Sequence, residues 1–380
     1  MKIAQVAPLA ESVPPKLYGG TERVVSYLTE ELVRQGHNVT LFASGDSRTA
    51  AELHACVESA LRFNEHIKDP HVFNLLQFDE VRERADEFDV IHFHTDYLHF
   101  PLVRELELTN TVTTLHGRLD LPGYPEIFAR HRGLPMVSIS NHQRRPLPDV
   151  HWAGTVLHGL PRNVCRFEPA PREGYLAFLG RISPEKGLDR AIKIARLAGL
   201  PLKVGAREPL RDLSNPCVRA DWEYYENVVK PLLADGHVEM VGEVGDAEKP
   251  GLLGNALALL FPIDWPEPFG LVMPEALACG TPVVARRRGS VPEVITHGVT
   301  GLVGESDEEL ADLCASVHRL DRQACRDEAT RRFSPAAMAN GYEAAYQRAR
   351  ADATRGWLRH TPRLPITARQ TAGEGSISGS

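Results

Sequence analysis

Six cysteines, Cys56, Cys165, Cys217, Cys279, Cys314 and Cys325, are scattered along the chain, and no two of them form a C-x-x-C pair. This excludes the common zinc and thioredoxin-type patterns. Thiols in mostly apolar surroundings read as buried free cysteines of a reducing compartment. No metal site is expected. His92 and His94 alternate on a predicted strand, but no further ligands stand at metal spacing. Positive charge is not in excess: 43 Lys and Arg against 50 Asp and Glu leave a net charge of −7. Nucleic acid is excluded as the expected partner, because neutralising its backbone needs clustered cations. A local basic pocket for a small phosphate stays compatible with this balance. No apolar run approaches the roughly 20 residues of a membrane span. The opening "MKIAQVAPLAESVPPKL" is interrupted by Glu11 and two prolines, so it does not read as a signal peptide. A cytoplasmic protein without a transmembrane segment is expected, and peripheral contact with a membrane surface is compatible with the composition.

What is present is an ordinary globular composition, 43% apolar and 24% charged, in a chain of 380 residues, too long for one core and suited to two domains. Short β-branched runs alternate with amphipathic segments. Strands are predicted at 2–7, 38–44, 89–94, 111–116 and 135–140, with helices at 20–36, 71–86 and 97–107. The pattern restarts with strands at 174–180, 201–206, 237–242, 256–262 and 281–285. Helices are predicted there at 183–199, 221–234, 246–255, 271–279 and 306–319. Apolar strands separated by helices predict parallel sheets covered on both faces. The fold class is therefore α/β, with two doubly wound Rossmann-like domains facing a central cleft. The proline-rich stretch 160–174 separates them. Residues 1–160 form the N-terminal domain and 161–344 the C-terminal one. A helix predicted over 334–358 has Gly341 as its kink point, and the Gly/Ser-rich residues 363–380 read as a disordered tail.

Four groups of residues fall at predicted strand ends, where ligands of such sheets bind. In "YGGTERVV" (18–25), Gly19 and Gly20 bare the backbone ahead of a helix whose first amides lack partners, a geometry suited to anions. A flexible loop with Thr21 as cap is the equal alternative. In "FLGRISPEKG" (178–187), Ser183 reads as N-cap, Pro184 as first helical residue and Lys186 as a first-turn residue. A lysine there opposes the helix dipole, which a bound polyanion would offset, and Arg181 offers a second phosphate contact. "TLHGRLD" (114–120) puts His116 at a strand end, where a structural histidine is the competing reading. In "DWPEPFGLVMPEALACGTPVVA" (264–285), Glu267 stands on a loop stiffened by Pro266 and Pro268, and Glu275 within a short helix closed by Gly280. The amides of Gly270, Leu271 and Val272 lie between the two carboxylates.

On these residues the chain resembles the retaining glycosyltransferases of family 4, which have the GT-B fold. The most specific match is E-x7-E, Glu267 to Glu275. "GRISPEKGLDRAIKIA" is the second, and "YGG" and "TLHG" support it. The resemblance implies transfer of a sugar from a nucleotide diphosphate donor to a hydroxyl acceptor: a sugar, a lipid or a small molecule. UDP-glucose is the default donor and GDP-mannose the next. No D-x-D motif occurs in the chain, so metal-independent transfer is expected, with no cofactor beyond the donor as cosubstrate. Glu275 would bind ribose hydroxyls, Glu267 the donor-sugar hydroxyls, and Arg181, Lys186 and the amides of Gly270, Leu271 and Val272 the diphosphate. Gly20 would approach the distal phosphate, with Gly19 beside it as a further donor-binding residue, and His116 would lie beside the donor sugar. The terminal helix, about 345–362, would pack back on the N-terminal, acceptor-side domain. A GT-B sugar-nucleotide epimerase and a non-catalytic sugar-nucleotide-binding protein are the rival readings.

Overall fold

The structure, a computed structural model, describes residues 1–354 except 17, 18, 63, 65, 212–214 and 235. Tyr18 and the expected tail 363–380 lie outside the described residues. The N-terminal sheet contains strands β1 (Lys2–Val6), β2 (Asn38–Ser44), β3 (Glu52–Val57), β4 (Val90–Phe93), β5 (Thr111–Thr114), β6 (Met136–Ser138) and β7 (Trp152–Thr155). They are parallel, in the order β3-β2-β1-β4-β5-β6-β7. The second sheet contains β8 (Leu176–Leu179), β9 (Leu202–Gly205), β10 (Val238–Gly242), β11 (Ala258–Phe261), β12 (Val283–Arg286) and β13 (Gly301–Gly304). These are also parallel, in the order β10-β9-β8-β11-β12-β13. Both sheets are doubly wound. The strand order reverses between β1 and β4 and between β8 and β11, and the crevice beyond those strand ends is the binding position of the architecture.

The central strands are buried on both faces, as parallel strands need to be: β4 and β11 have no residue outside the core. Strands β3, β7 and β13 are absent from the sequence reading. β3 is a half-exposed edge with His54 and Cys56 along it. β13 is a four-residue "GLVG". Its Gly301 meets the backbone of β12 so closely that a Cβ there would lie 2.2 Å from the Val283 carbonyl oxygen.

Two helices differ from expectation in ways that matter for the site. The helix predicted over 183–199 runs only from Leu188 to Leu197. Gly187 takes φ +72 and serves as its N-cap, so 183–187 is a separate turn closed by the Lys186 and Gly187 amides donating to Ser183 O at 3.1 and 3.3 Å. Ser183 is not the cap, and Lys186 lies before the helix rather than in its first turn. The terminal helix, Pro335–Thr354, runs unbroken through Gly341. Gly341 serves close approach rather than a kink, since a Cβ there would sit 3.1 Å from Val156. The helix joins the N-terminal core from Met338 onward, earlier than the expected 345, because Met338, Ala339, Tyr342, Ala345, Tyr346 and Ala349 form its apolar stripe.

Candidate active site

The loop after β11 carries Glu267 into the crevice. Gly289 and Ser290 clamp it from behind. The Ser290 amide donates to Glu267 O at 2.9 Å, and the Ser290 hydroxyl donates to Phe269 O at 2.8 Å. A Cβ on Gly289 would fall 2.4 Å from Glu267 N. So held, Glu267 Oε2 accepts from Lys186 Nζ at 2.5 Å and from Trp265 Nε1 at 3.0 Å. Lys186 Nζ also lies over the Trp265 ring, 4.8 Å from its centroid. Both contacts fall on Oε2 and leave Oε1 outside them. Gly270, with φ +78, turns the chain toward the helix Val272–Ala278. The first turn amide in use is that of Met273, donating to Gly270 O at 3.0 Å. The Gly270, Leu271 and Val272 amides have no such bond among the described residues.

Glu275 is buried, and a second lysine meets it there. Lys249 Nζ is 2.7 Å from Glu275 Oε1 and 3.1 Å from Asp246 Oδ1. Burial works against the Lys249 charge, but the Glu275 and Asp246 carboxylates together hold the ammonium pKa above its ordinary value. Asp246 in turn pairs with Arg23, which comes from the N-terminal domain's first helix, Gly20–Arg34. One chain of charges thus runs from Glu275 across the crevice.

Gly20 stands at the same junction: a Cβ there would face Leu271 at 3.9 Å. Gly19, at φ +153, is pressed against Pro15. A carboxylate already occupies this helix start, since Glu22 is buried with its pKa raised by desolvation. Arg181 is exposed and is held by Glu185 and, at 3.3 Å, by Asp221. The structure therefore brings Lys186, Glu267 and Trp265 together, sets Gly20 against Leu271, and holds Arg181 on a separate acidic pair.

His116 belongs to a buried network that begins on the terminal helix. Gln5 of β1 donates through Nε2 to Tyr346 OH at 3.1 Å and presents Oε1 to His94 Nε2 at 2.7 Å. With Gln5 oriented so, His94 carries its proton on Nε2, and its Nδ1 accepts from His116 Nε2 at 2.9 Å. The neutral His116 ring then presents Nδ1 as an acceptor. That atom is covered and has no partner among the described residues, while the rest of the ring stays half-open. Burial pushes the His116 pKa down to about 3, so the ring offers a lone pair, not a charge. Tyr346 OH also meets His92 Nδ1 at 2.8 Å, and Thr114 Oγ1 joins His92 Nε2 to Tyr342 OH. His158 stacks on His116 at 5.4 Å between centroids and meets Phe269 edge-on, linking the two halves.

Sequence reading missed Lys249, Trp265 and Gln5. Trp265 stood inside the quoted motif, and a glutamine within an apolar strand was a visible signal. Lys249 had none, since its partner is 26 residues away. The sequence also gave no sign that His54, Cys56 and Glu80 bring three metal-ligand types within 4.8 Å of one another. That group is closed on itself: His54 Nε2 meets Glu80 at 2.8 Å and Nδ1 faces the Arg84 guanidinium at 3.3 Å, so a cation is already in place. No helix among the described residues is long and apolar enough to cross a membrane.

Two family models match successive stretches of the chain. The family model Glycosyltransferase Family 4 matches residues 18–152, and Glycosyl transferases group 1 matches 166–334. The D-inositol 3-phosphate glycosyltransferase of Mycobacterium marinum is 30% identical over 223 residues, 53% of this chain and 43% of that protein. The chain thus aligns with less than half the length of that relative. The glycogen synthase of Mycobacterium tuberculosis is 25% identical over 93% of this chain and 96% of its own. Among solved structures, Anabaena HepE in complex with UDP-glucose superposes with a TM-score of 0.65 at 19% identity, covering 91% of this chain and 99% of that one. That likeness shows the shared fold.

Proposed function

We propose that this chain, a glycosyltransferase of GT-B type by its two domain families and its fold, is a retaining enzyme that moves a hexose from a nucleotide diphosphate to a hydroxyl acceptor. The observation that carries this reading is the Lys186–Glu267 pair seated on Trp265, with the unused amides of 270–272 just beyond it and Glu275 further on. A sugar nucleotide is a ligand of that order: hydroxyls, phosphates, hydroxyls. Glu267 Oε1 would accept from the donor-sugar hydroxyls. Glu275 Oε2, which does not touch Lys249, would accept from the ribose. Lys186 and the 270–272 amides would meet the diphosphate, and Arg181 would join them by leaving Glu185. His116 would lie beside the donor sugar.

In the transfer the bond between the anomeric carbon and the phosphate oxygen breaks, and its electron pair stays on that oxygen. The acceptor hydroxyl oxygen attacks the same face of the carbon. Its proton passes to the departing phosphate oxygen, giving a glycoside and a nucleoside diphosphate. The chain's own contribution is charge stabilisation at the leaving group by preorganised donors and placement of the acceptor. We take UDP-glucose as the donor, the ligand held by HepE. The test is a thermal-shift screen of UDP, GDP and ADP sugars followed by product analysis. A donor at 100 times its Kd adds about 2.7 kcal/mol of stability. A chain stabilised by no sugar nucleotide, or one that turns a donor into its epimer without acceptor, would overturn the proposal.

A further inference from the structure

A cavity of about 420 Å³ opens beside His116 on the N-terminal domain, within the size range of small-molecule sites. His94, Asp96 and His116 form one wall, and Arg62, Asn64 and Asn74 line it too. Asp96 lies in the turn after β4 at φ +50; among the described residues only one other non-glycine, Glu107, has a positive φ. Strained backbone of this kind gathers at functional sites. Here it delivers a carboxyl to the cavity. Desolvation raises the Asp96 pKa to about 6, with the His116 main-chain N–H pulling the other way.

The charges of the lining narrow the ligand. Arg62 is the one arginine or lysine among the described lining residues, and Glu11 Oε1 holds it at 2.9 Å. The imidazoles of His94 and His116 are kept neutral by burial. An anionic ligand would meet Asp96 and find its only cation already paired, which costs binding energy. A neutral ligand rich in hydroxyls would find an acceptor in Asp96 and amides in Asn64 and Asn74. Leu9, Leu61 and Ile67 offer apolar surface for its ring carbons.

We propose that this cavity is the acceptor site, that its acceptor is an uncharged polyol, a free sugar or cyclitol without phosphate, and that Asp96 selects and positions it by accepting hydrogen bonds from its hydroxyls. The proposal rests on the transferase reading for the purpose of the cavity, but its binding chemistry is separable from turnover. The full chain and Asp96→Asn are compared, since asparagine tolerates the left-handed backbone and keeps the shape while losing the charge. Saturation-transfer NMR without donor reads the binding of free hexoses, of myo-inositol and of their monophosphates. The hexose and inositol arms distinguish the two sources of polyol. The expected result is binding of a neutral polyol that Asp96→Asn weakens by at least about tenfold. The donor-induced thermal shift stays as in the wild type. Tighter binding of the monophosphates, no binding of any probe, or unchanged polyol affinity in Asp96→Asn would overturn it. A chain that binds polyol through Asp96 but no sugar nucleotide would sink the transferase reading and leave this site standing.

Discussion

Lys249 and Glu275 form an ion pair with almost no access to water: Nζ lies 2.7 Å from Oε1, and the two side chains keep 11% and 4% of their exposure. A buried pair of this kind adds little net stability compared with an apolar pair, but removing one partner strands the other charge. Lys249→Met is expected to lose about 3–5 kcal/mol in urea unfolding. Lys249→Met combined with Glu275→Gln should recover much of that loss. A single variant as stable as the wild type would show that the carboxylate has another partner.

Gly289 has no room for a side chain. At φ +54, with Glu267 N 2.4 Å from the Cβ position, Gly289→Ala has to push the Glu267 loop out of place. Gly298 has φ +80 but nothing within 4 Å. Gly298→Ala should cost only backbone strain, about 1 kcal/mol, and keep transfer. Gly289→Ala should lose transfer and more stability. Equal activity in the two variants would remove Gly289 from the support of the site.

Lys186 contacts Glu267 and the Trp265 ring, and it is partly exposed, so its loss should leave the fold intact. Lys186→Ala is expected to lower kcat by about 10²–10³, the scale of one lost donor to a developing oxyanion. Glu267→Gln should likewise lose transfer while melting close to the wild type. Near-normal turnover by Lys186→Ala would end the phosphate assignment.

Acid should destabilise the protein through its imidazoles. Burial holds His92, His94, His99, His116, His131 and His158 below the ordinary histidine value, His116 at about 3 and His131 at about 4. Below about 6.5 the unfolded chain takes up protons that the folded chain refuses, so stability falls as pH falls. Each ring contributes up to about 1.4 kcal/mol per pH unit. Buried carboxylates with raised values, Glu22 and Asp96 among them, act in the opposite sense but are fewer. The urea midpoint should drop steeply from pH 6.5 to 5, and a flat profile would contradict the buried, neutral state of these rings.

The sequence made the two sheets and the clamp around 264–285 legible because both are local patterns: apolar runs of strand length, and prolines and glycines that fix a loop and a helix end. It misplaced the helix start near Lys186 because Ser183-Pro184 is a strong capping signal, and only the left-handed Gly187 decides against it. It missed β7 and β13, four residues each and carrying glycines, whose strand state comes from their neighbours. Asp96 and Gln5 acquire meaning only when β1, β4 and β5 lie side by side, with Gln5 opposite His92. No spacing along the chain records that.

The terminal helix has a consequence for how this molecule can be divided. Tyr342 and Tyr346 supply the hydroxyls that close the polar network under Gln5, His92 and His94. Residues 1–160 expressed alone would lose those tyrosine hydroxyls, open the polar network to water and leave a wide apolar face uncovered. The first half is therefore not an exchangeable module. A chimaera that swaps one half for a relative's must carry 335–354 with the half that begins the chain, although those residues are written at its other end.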